Sequence, residues 1–212
     1  MVADEILEPG ERAAHWESVY ERNHFEGVSW FQAKPAVSLE LVERLGVSNE
    51  ARIIDVGGGA SVLVDELLNR SFVDLTVLDI SEAALRASRE RVGAEASVNW
   101  IGHDLLTWNP TGRYDLWHDR AVFHFLSGDE VGVYRDLLLR AVAPQGCVIM
   151  ATFALDGPGR CSGLPVTKYD ANHLVDALGE AFEPAFQRRE IHRTPSGAVQ
   201  PFTWIAARRT SG

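Results

Sequence analysis

Residues 52–61 have the sequence Arg-Ile-Ile-Asp-Val-Gly-Gly-Gly-Ala-Ser, and this stretch decides the fold of a chain of 212 residues. A short β-branched run passes through Asp55 into three glycines, and an apolar segment follows. The pattern predicts a strand, a tight loop and a helix, because glycine permits positive φ and close approach of the backbone to a ligand. The N–H groups at the start of the helix would face that ligand. The stretch therefore indicates the first unit of an α/β fold that binds an adenosine-bearing cofactor.

The rest of the chain alternates apolar runs with segments of helical pattern, which predicts a mainly parallel sheet with helices on both faces. Near the C-terminus the pattern changes to a hairpin, with a turn over residues 194–197 between two antiparallel strands. The predicted helices cover 11–23, 35–45, 61–68, 82–91 and 127–142, and the predicted strands cover 52–56, 75–78, 98–101, 114–118, 147–153, 187–193 and 199–207. A turn is expected over residues 143–146.

The composition bounds the class of protein. A hydrophobic content of 46% and a charged content of 24% are those of one globular domain without a membrane span. The N-terminus is acidic and lacks the build of a secretion signal. The two cysteines, Cys147 and Cys161, predict no disulfide framework, and no Cys/His cluster has metal-site spacing, so a reducing cytoplasm is expected. A net charge of -10 argues against nucleic acid as a partner.

The cofactor is narrowed by the residues around the glycines. Gly57 and Gly59 fit the first two places of the dinucleotide fingerprint, but Val62 occupies the third, which counts against NAD. Asp79 closes the second predicted strand, 24 positions after Asp55. A carboxylate at that place accepts hydrogen bonds from both ribose hydroxyls, whether of NAD or of S-adenosylmethionine.

Asp55-x-Gly57-x-Gly59, Asp79, an Asp104 after the third strand and the terminal hairpin together resemble the class I S-adenosylmethionine-dependent methyltransferases. The resemblance covers nearly the whole chain. It implies an α/β, single-domain Rossmann-like sandwich with strand order 3-2-1-4-5-7-6 that ends in an antiparallel hairpin. It further implies an N-terminal helical cap or lid over residues 1–46 and a cofactor-binding core over 47–212.

The same resemblance implies where the cofactor would lie. The glycine loop would surround its methionine portion, with Asp55 towards the amino group, and the ribose and adenine would lie beyond the second and third strands. The implied cofactor-binding residues are Asp55, Gly57, Gly58, Gly59, Asp79, Ile80, Asp104, Leu105, Asp119, Arg120 and Trp30. The product would be S-adenosylhomocysteine.

A narrower resemblance links the Trp16–Tyr20 segment, Ser29-Trp30-Phe31, residues 119–126 and the hairpin around His192 to small bacterial class I methyltransferases of poorly defined substrate. Protein-lysine methyltransferases share part of this pattern. The chain lacks the Asn/Asp-Pro-Pro-Tyr/Phe motif typical of nucleic-acid amino methylation, which again disfavours a DNA substrate.

Methyl transfer is an in-line displacement, so the protein needs to align the nucleophile, exclude water and, where required, remove a proton. Asp119 and His118, at the end of the fourth strand, are the candidate catalytic residues, and Asp119 has a helix-capping alternative. His124 is a further candidate base, but a packed, hydrogen-bonded core histidine is the favoured interpretation. His192 faces the antiparallel strand, where Gln200 is a possible structural partner.

The remaining candidates have two interpretations each. Trp16 and Tyr20 fit packing on one helical face, whereas Trp30 and Phe31 fit an aromatic lid. Arg120 either binds a carboxylate-bearing substrate or pairs with surface acids. Residues 160–163 follow the fifth strand, where this fold presents its substrate side, and they also fit an ordinary loop.

The sequence thus favours a methyltransferase with a small-molecule acceptor. A methyltransferase acting on a lysine of a basic protein is the alternative, since an acidic enzyme attracts such a target. A non-catalytic S-adenosylmethionine-binding module and an NAD-dependent oxidoreductase are the other hypotheses. The acceptor, and the choice between monomer and homodimer, are left open.

Overall fold

The structure is a computed structural model that describes residues 9–22, 25–94 and 96–211. The predicted cap and the acidic N-terminus include residues 1–8, 23 and 24, which lie outside the described residues. The helices are α1 (Pro9–Arg22), α2 (Ala36–Arg44), α3 (Leu63–Leu68), α4 (Glu82–Val92), α5 (Asp129–Ala141) and α6 (Ala171–Leu178). The strands are β1 (Arg52–Val56), β2 (Asp74–Asp79), β3 (Val98–Gly102), β4 (Tyr114–Arg120), β5 (Val142–Phe153), β6 (Arg160–Cys161), β7 (Leu164–Pro165), β8 (Phe182–Arg193) and β9 (Val199–Arg209).

The main sheet has the order β3-β2-β1-β4-β5-β9-β8. Strands β1 to β5 pair in parallel, and β9 pairs antiparallel with both β5 and β8. The predicted order 3-2-1-4-5-7-6 is confirmed, with β8 and β9 as the sixth and seventh strands of the prediction. The carboxyl ends of β1, β2 and β4 consequently meet at one edge of the sheet, where ligands bind in open α/β folds.

Helices cover both faces of the sheet because successive side chains of a strand point to opposite sides. Ile53 packs into the core shared with α2 and α3, and its neighbour Ile54 packs into the core shared with α5 and α6. Both isoleucines are buried. The central strands are therefore apolar on both faces, which accounts for the continuous apolar runs in the sequence.

The structure differs from the predicted elements at two places. The expected turn over residues 143–146 lies within β5, where Gln145 adopts a φ of 63°. The two-residue pair of β6 and β7 was not predicted, because strands this short carry little periodicity. Helix α6 was also missed, although it has an N-cap at Asp170 and buries Leu174 and Leu178 at helical spacing. No helix in the described part of the chain is both long and apolar enough to cross a lipid bilayer.

Candidate active site

The glycine loop is shaped by close packing on three sides. Gly57 has a φ of 65°, and its N–H donates to the carbonyl of Leu78, which ties the loop to β2. A Cβ at Gly57 would overlap the side chain of Val122, and a Cβ at Gly58 or Gly59 would overlap Asp55 or Asp79. The loop therefore needs glycine for conformation and for space.

Asp55 is buried at the end of β1 and is held by a chain of side chains. Its Oδ1 lies 2.7 Å from Nδ1 of His118, and Nε2 of His118 lies 2.9 Å from Oγ of Ser38. A neutral histidine that donates from Nδ1 accepts at Nε2, so the Ser38 hydroxyl donates to it. The second oxygen, Oδ2, has no hydrogen-bond partner among the residues that the structure describes. His118 thus orients a carboxylate that retains one free acceptor oxygen.

Asp79 closes β2 and is held by two backbone N–H groups. Gly59 donates to its Oδ2 at 2.9 Å, and Ser81 donates to its Oδ1 at 2.9 Å. Burial raises the pKa of Asp79 to about 6, although these hydrogen bonds favour the ionised form. Each oxygen keeps a second lone pair, so the carboxylate has capacity for two further donors such as the hydroxyls of a ribose.

Asp104 follows β3 as predicted. Its Oδ1 accepts from the N–H of Leu106 at 2.9 Å, and its Oδ2 has no hydrogen-bond partner in the described part of the chain. The nearest cation is Arg12, whose Nη1 is 3.8 Å from Oδ2. An amino donor such as that of adenine would satisfy this oxygen.

Asp119 is engaged entirely by the protein. Its Oδ1 accepts from the N–H groups of Val122 and Phe123 at 2.9 Å and 3.3 Å, and the hydroxyl of Tyr134 donates to its Oδ2 at 2.7 Å. Tyr134 in turn accepts from the indole N–H of Trp117. Burial raises the pKa of Asp119 to about 6. These contacts match the capping alternative, in which Asp119 orders the 3₁₀ turn over residues 123–125.

Arg120 is the next residue along β4 and behaves differently. Its Nη1 donates to the carbonyl of Trp30 at 2.9 Å, and its guanidinium lies 4.6 Å from the centre of the Phe202 ring. Within the described ranges, Nε and Nη2 have no partner and no contact with solvent. Burial lowers the pKa of Arg120 to about 10, so it stays charged at neutral pH. Ala121 follows with a φ of 73°, a strained conformation that turns the chain at the end of the strand.

Aromatic rings from the N-terminal segment cover this edge of the sheet. Trp16 lies edge-on to Trp30 and to Phe125, with ring centres 5.8 Å and 5.1 Å apart, and Tyr20 lies 5.9 Å from Trp30. Phe31 instead packs against Phe25 at 6.0 Å. Trp16 and Tyr20 therefore both pack together with Trp30 and line the site, so their two interpretations are compatible.

The other candidate bases are structural in their contacts. His124 is fully buried against Phe125 and Phe153, and neither ring nitrogen has a partner from any residue in 9–22, 25–94 or 96–211. The expected hydrogen bond of His124 is therefore wrong, because the cluster around it is aromatic and offers no acceptor. Burial lowers its pKa to about 3. His192 lies opposite Gln200 as expected, but its Nε2 is bonded to the carbonyl of Ser29 at 2.8 Å.

The segment after β5 forms a small hairpin. Arg160 and Cys161 pair with Leu164 and Pro165, and the turn at Ser162 and Gly163 has positive φ at both residues. Cys161 lines the site, and burial raises the pKa of its thiol to about 11. Of this segment, Cys161 lines the larger lobe, and its thiol stays protonated at neutral pH.

These residues enclose a cleft with two lobes. The larger lobe has about 830 Å³ of empty space including its mouth, and the smaller has about 530 Å³. Trp30, Val56, Gly57 and Arg120 line both lobes. The larger lobe brings together the predicted residues Asp79, Ile80, Asp104 and Leu105, and the smaller lobe brings together Asp55, Gly57, Gly58 and His118.

Two residues of the site were missed from the sequence. Arg12 lines the larger lobe and pairs with Glu130, and Glu17 accepts from the hydroxyl of Ser81 at 2.7 Å and from the N–H of Ala83 at 3.1 Å. Glu17 therefore joins α1 to the N-terminus of α4, where a carboxylate is favoured. Charged residues on a short amphipathic helix give no signal of such a contact.

Comparison with known proteins agrees with this geometry. Residues 54–148 match the family described as a methyltransferase domain. Malonyl-[acyl-carrier protein] O-methyltransferase 2 of Ilyobacter polytropus is 25% identical over 143 residues, which are 64% of this chain and 54% of that protein. Malonyl-[acyl-carrier protein] O-methyltransferase 1 of the same organism is 27% identical over 124 residues, 55% and 45% of the two chains. The chain spans about half the length of these curated relatives.

Solved structures share the fold. The 1,6-didemethyltoxoflavin-N1-methyltransferase of Burkholderia thailandensis, solved with 1,6-didemethyltoxoflavin and S-adenosylhomocysteine, has a TM-score of 0.74 at 22% identity and covers 99% of this chain and 93% of its own. The N-methyltransferase NodS of Bradyrhizobium japonicum, in complex with S-adenosylhomocysteine, has a TM-score of 0.68 at 16% identity, with 91% and 97% covered. The chain thus shares the fold of these methyltransferases, and its residues 54–148 match a methyltransferase domain. The domain match includes the glycine loop and favours the methyltransferase interpretation of that loop over the dinucleotide one.

Proposed function

We propose that this protein transfers the methyl group of S-adenosylmethionine to a small-molecule acceptor. One observation carries the proposal: a cleft at the glycine loop and the ends of β2 and β3 is lined by three acidic side chains, and among the described residues one oxygen each of Asp55 and Asp104 is buried without a hydrogen-bond partner. Buried acceptors without donors are costly, so these oxygens fit donors on a ligand. The amino groups and ribose hydroxyls of the cofactor supply donors of this kind.

Different residues of the cleft would bind different parts of the cofactor. Asp55 would hold the methionine amino group, Asp79 the ribose hydroxyls, and Asp104 the adenine amino group, with Ile80 and Leu105 against the ring. When bound, the cofactor supplies a methyl group activated by a positively charged sulfur. The three glycines hold the loop on the path that leaves room for the cofactor, because a side chain at Gly57, Gly58 or Gly59 would overlap protein atoms and displace the loop.

The chain contributes alignment and exclusion of water more than proton transfer. His118 and Asp119, the predicted catalytic pair, both have their polar atoms engaged by protein groups. We therefore assign them positioning roles: His118 sets the orientation of Asp55, and Asp119 orders the turn that carries Val122 against Gly57. Trp16, Tyr20 and Trp30 exclude water from the reacting atoms, which strengthens electrostatic contacts in the cleft.

A small acceptor is supported by the aromatic side chains that line the larger lobe, Trp16, Tyr20, Trp30 and Phe125. The curated relatives are named for a carrier-protein-linked acid, and the toxoflavin enzyme is named for a small heterocycle.

Two measurements test the proposal. S-adenosylhomocysteine should raise the melting temperature of the wild type through binding to the native state, and Asp79→Ala should remove most of that shift. Asp74→Ala, at the other end of the same strand, serves as the matched control. No shift in the wild type would contradict the proposal.

The class of acceptor is tested with cofactor that carries a labelled methyl group. After incubation with a lysate of the host, label is expected in the small-molecule fraction. Label confined to protein, and found on lysine, would instead identify the protein-lysine alternative.

A further inference from the structure

Arg120 presents an unused pair of donors at the junction of the two lobes. Its Nη1 is committed to the Trp30 carbonyl, whereas Nε and Nη2 have no partner in the described ranges and are shielded from solvent. Nε–H and the adjacent Nη2–H are the two donors that form the side-on fork of a guanidinium. That fork matches the two oxygens of a carboxylate.

The acids nearest to Arg120 have other partners. Glu190 accepts from Gln32 at 2.7 Å and from the indole N–H of Trp204 at 2.9 Å. Asp55 is bonded to His118 through Oδ1. Among the described residues, no carboxylate lies within 4 Å of the Arg120 guanidinium. The charge of Glu190 acts on Arg120 without a hydrogen bond between them, so two buried donors of the guanidinium still lack acceptors among the described residues. Such donors are unfavourable, and their retention at a ligand site indicates that a ligand completes them.

The surroundings of Arg120 describe the rest of this ligand. In the larger lobe Arg120 shares the lining with Trp16, Tyr20, Trp30 and Phe125, together with the thiol of Cys161. These are apolar surfaces, and the other cation of the lobe, Arg12, pairs with Glu130 and lies near Asp104. We propose that the methyl acceptor is a small carboxylate with an apolar body, anchored through its carboxylate by the Nε and Nη2 atoms of Arg120. This inference rests on the proposed function and adds the chemical class of the acceptor.

The carboxylate of the cofactor's own methionine portion is the competing source of the same chemistry. The glycine loop offers that group separate donors, since the N–H groups of Gly58 and Ala60 donate to no acceptor in the described part of the chain. Backbone N–H groups in such a loop bind anions well. This leaves Arg120 for the acceptor.

The test uses the full chain saturated with S-adenosylhomocysteine and two matched pairs of probes, phenylacetate with phenylacetamide and hexanoate with hexanamide. Binding is measured by calorimetry or ligand-observed NMR. We expect at least one carboxylate to bind ~10-fold or more tightly than its amide, because a bidentate charged pair is lost in the amide. Arg120→Gln should abolish this preference, and Arg120→Lys should retain part of it.

Arg140→Gln is the control, because it removes one exposed guanidinium on α5. It should leave both the preference for carboxylates and the affinity for S-adenosylhomocysteine unchanged. Arg120→Gln should keep that affinity within about threefold, which also shows that the variant is folded.

The outcomes separate the hypotheses. Equal or undetectable binding of acid and amide in the wild type overturns the inference, while binding of S-adenosylhomocysteine by the same sample preserves the proposed function. A loss of ~10-fold or more in affinity for S-adenosylhomocysteine on Arg120→Gln, in a variant with wild-type melting temperature, assigns Arg120 to the cofactor and also overturns it. A wild type that binds no S-adenosylhomocysteine rejects the proposed function itself.

Discussion

At the scale of single residues, the site combines groups that the fold leaves incomplete with groups that it satisfies fully. Within the described part of the chain, Asp55 and Asp104 each keep one oxygen without a hydrogen-bond partner, whereas both oxygens of Asp119 accept hydrogen bonds from protein groups. The difference arises from position: the first two border the cleft, and the third is enclosed by the 3₁₀ turn and α5. Residue type alone does not separate these roles.

Asp79 should make cofactor binding depend on pH. Its pKa in the free protein is about 6, and protonation replaces an acceptor by a donor. Affinity for S-adenosylhomocysteine should therefore fall as the pH decreases through 6, by up to about tenfold per pH unit. Asp79→Asn should bind about 10-fold more weakly at pH 8 and lose this slope.

The control is Asp74→Asn on the same strand, which should retain the wild-type slope in calorimetric titrations between pH 5 and pH 8. An unchanged slope in Asp79→Asn would assign the titration to another group.

Gly57 gives a second prediction at this scale. An alanine there must adopt a φ of 65° and displace Val122. Gly57→Ala should lower the free energy of unfolding by roughly 2 kcal/mol or more. In a Val122→Ala background the overlap is relieved, so only the backbone strain of about 1 kcal/mol should remain. Equal losses in both backgrounds, measured by urea unfolding, would show that Val122 does not restrict the loop.

At the scale of elements, α1 is attached to the core through its polar side chains. Glu17 contacts the N-terminus of α4, and Arg12 contacts Glu130 of α5 and lies near Asp104. The same helix carries Trp16 and Tyr20 into the cleft. We propose that α1 acts as a lid over the cofactor and that the hydrogen bonds of Glu17 to the N-terminus of α4 hold this lid closed.

Glu17→Ala should loosen this lid. The variant loses two hydrogen bonds and a favourable contact with the helix dipole, worth about 1 to 2 kcal/mol. S-adenosylhomocysteine should dissociate about 5-fold to 30-fold faster, as measured by stopped-flow displacement. Glu21→Ala, an exposed position on the same helix, makes the matched control. Dissociation at the same rate from both variants would show that Glu17 does not hold the lid closed.

At the scale of the whole molecule, the burial of ionisable groups lowers the free energy of unfolding. The described core buries ionisable groups, among them His124 against Phe125 and Phe153 and Asp79 at the glycine loop. For Asp79 and Asp119, folded pKa values of about 6 against 3.8 mean that burial opposes folding above pH 6 and not below about pH 4.

The effect of His124 on stability has the opposite dependence on pH. Its pKa is about 3 in the folded protein and 6.5 ordinarily, so the unfolded chain binds a proton that the folded protein does not. The free energy of unfolding therefore falls as the pH decreases below 6.5. His124→Phe removes two buried nitrogens without partners and should raise the free energy of unfolding by about 1 to 3 kcal/mol at pH 8. The gain should grow by about 2 kcal/mol at pH 5, because the unfolded wild type then gains a proton.

Urea unfolding at the two pH values measures this effect, and methyl transfer should be retained. A gain that is the same at pH 5 and pH 8 would mean that His124 titrates normally in the folded state. A loss of methyl transfer with intact cofactor binding would indicate that His124 acts as a base in the reaction.

The sequence by itself determined the strand–loop–helix unit of the cofactor loop and three acidic positions at strand ends, and the family resemblance of these motifs implied the sheet order. Glycine spacing, strand-ending acids and apolar periodicity are local properties, and residues such as Gly57 and Asp79 are fixed by the path of their own segment. The two-residue strands β6 and β7 lacked enough periodicity to be predicted, whereas α6 carried a helical pattern that was overlooked.

Only the tertiary structure decided which polar groups are satisfied. Asp119 and Arg120 are neighbours in the sequence, yet one is fully bonded to protein and the other retains two buried donors. The same holds for His124, whose environment comes from strands far along the chain. Hydrogen-bond satisfaction depends on partners brought together across the sheet, and no local pattern encodes those partners.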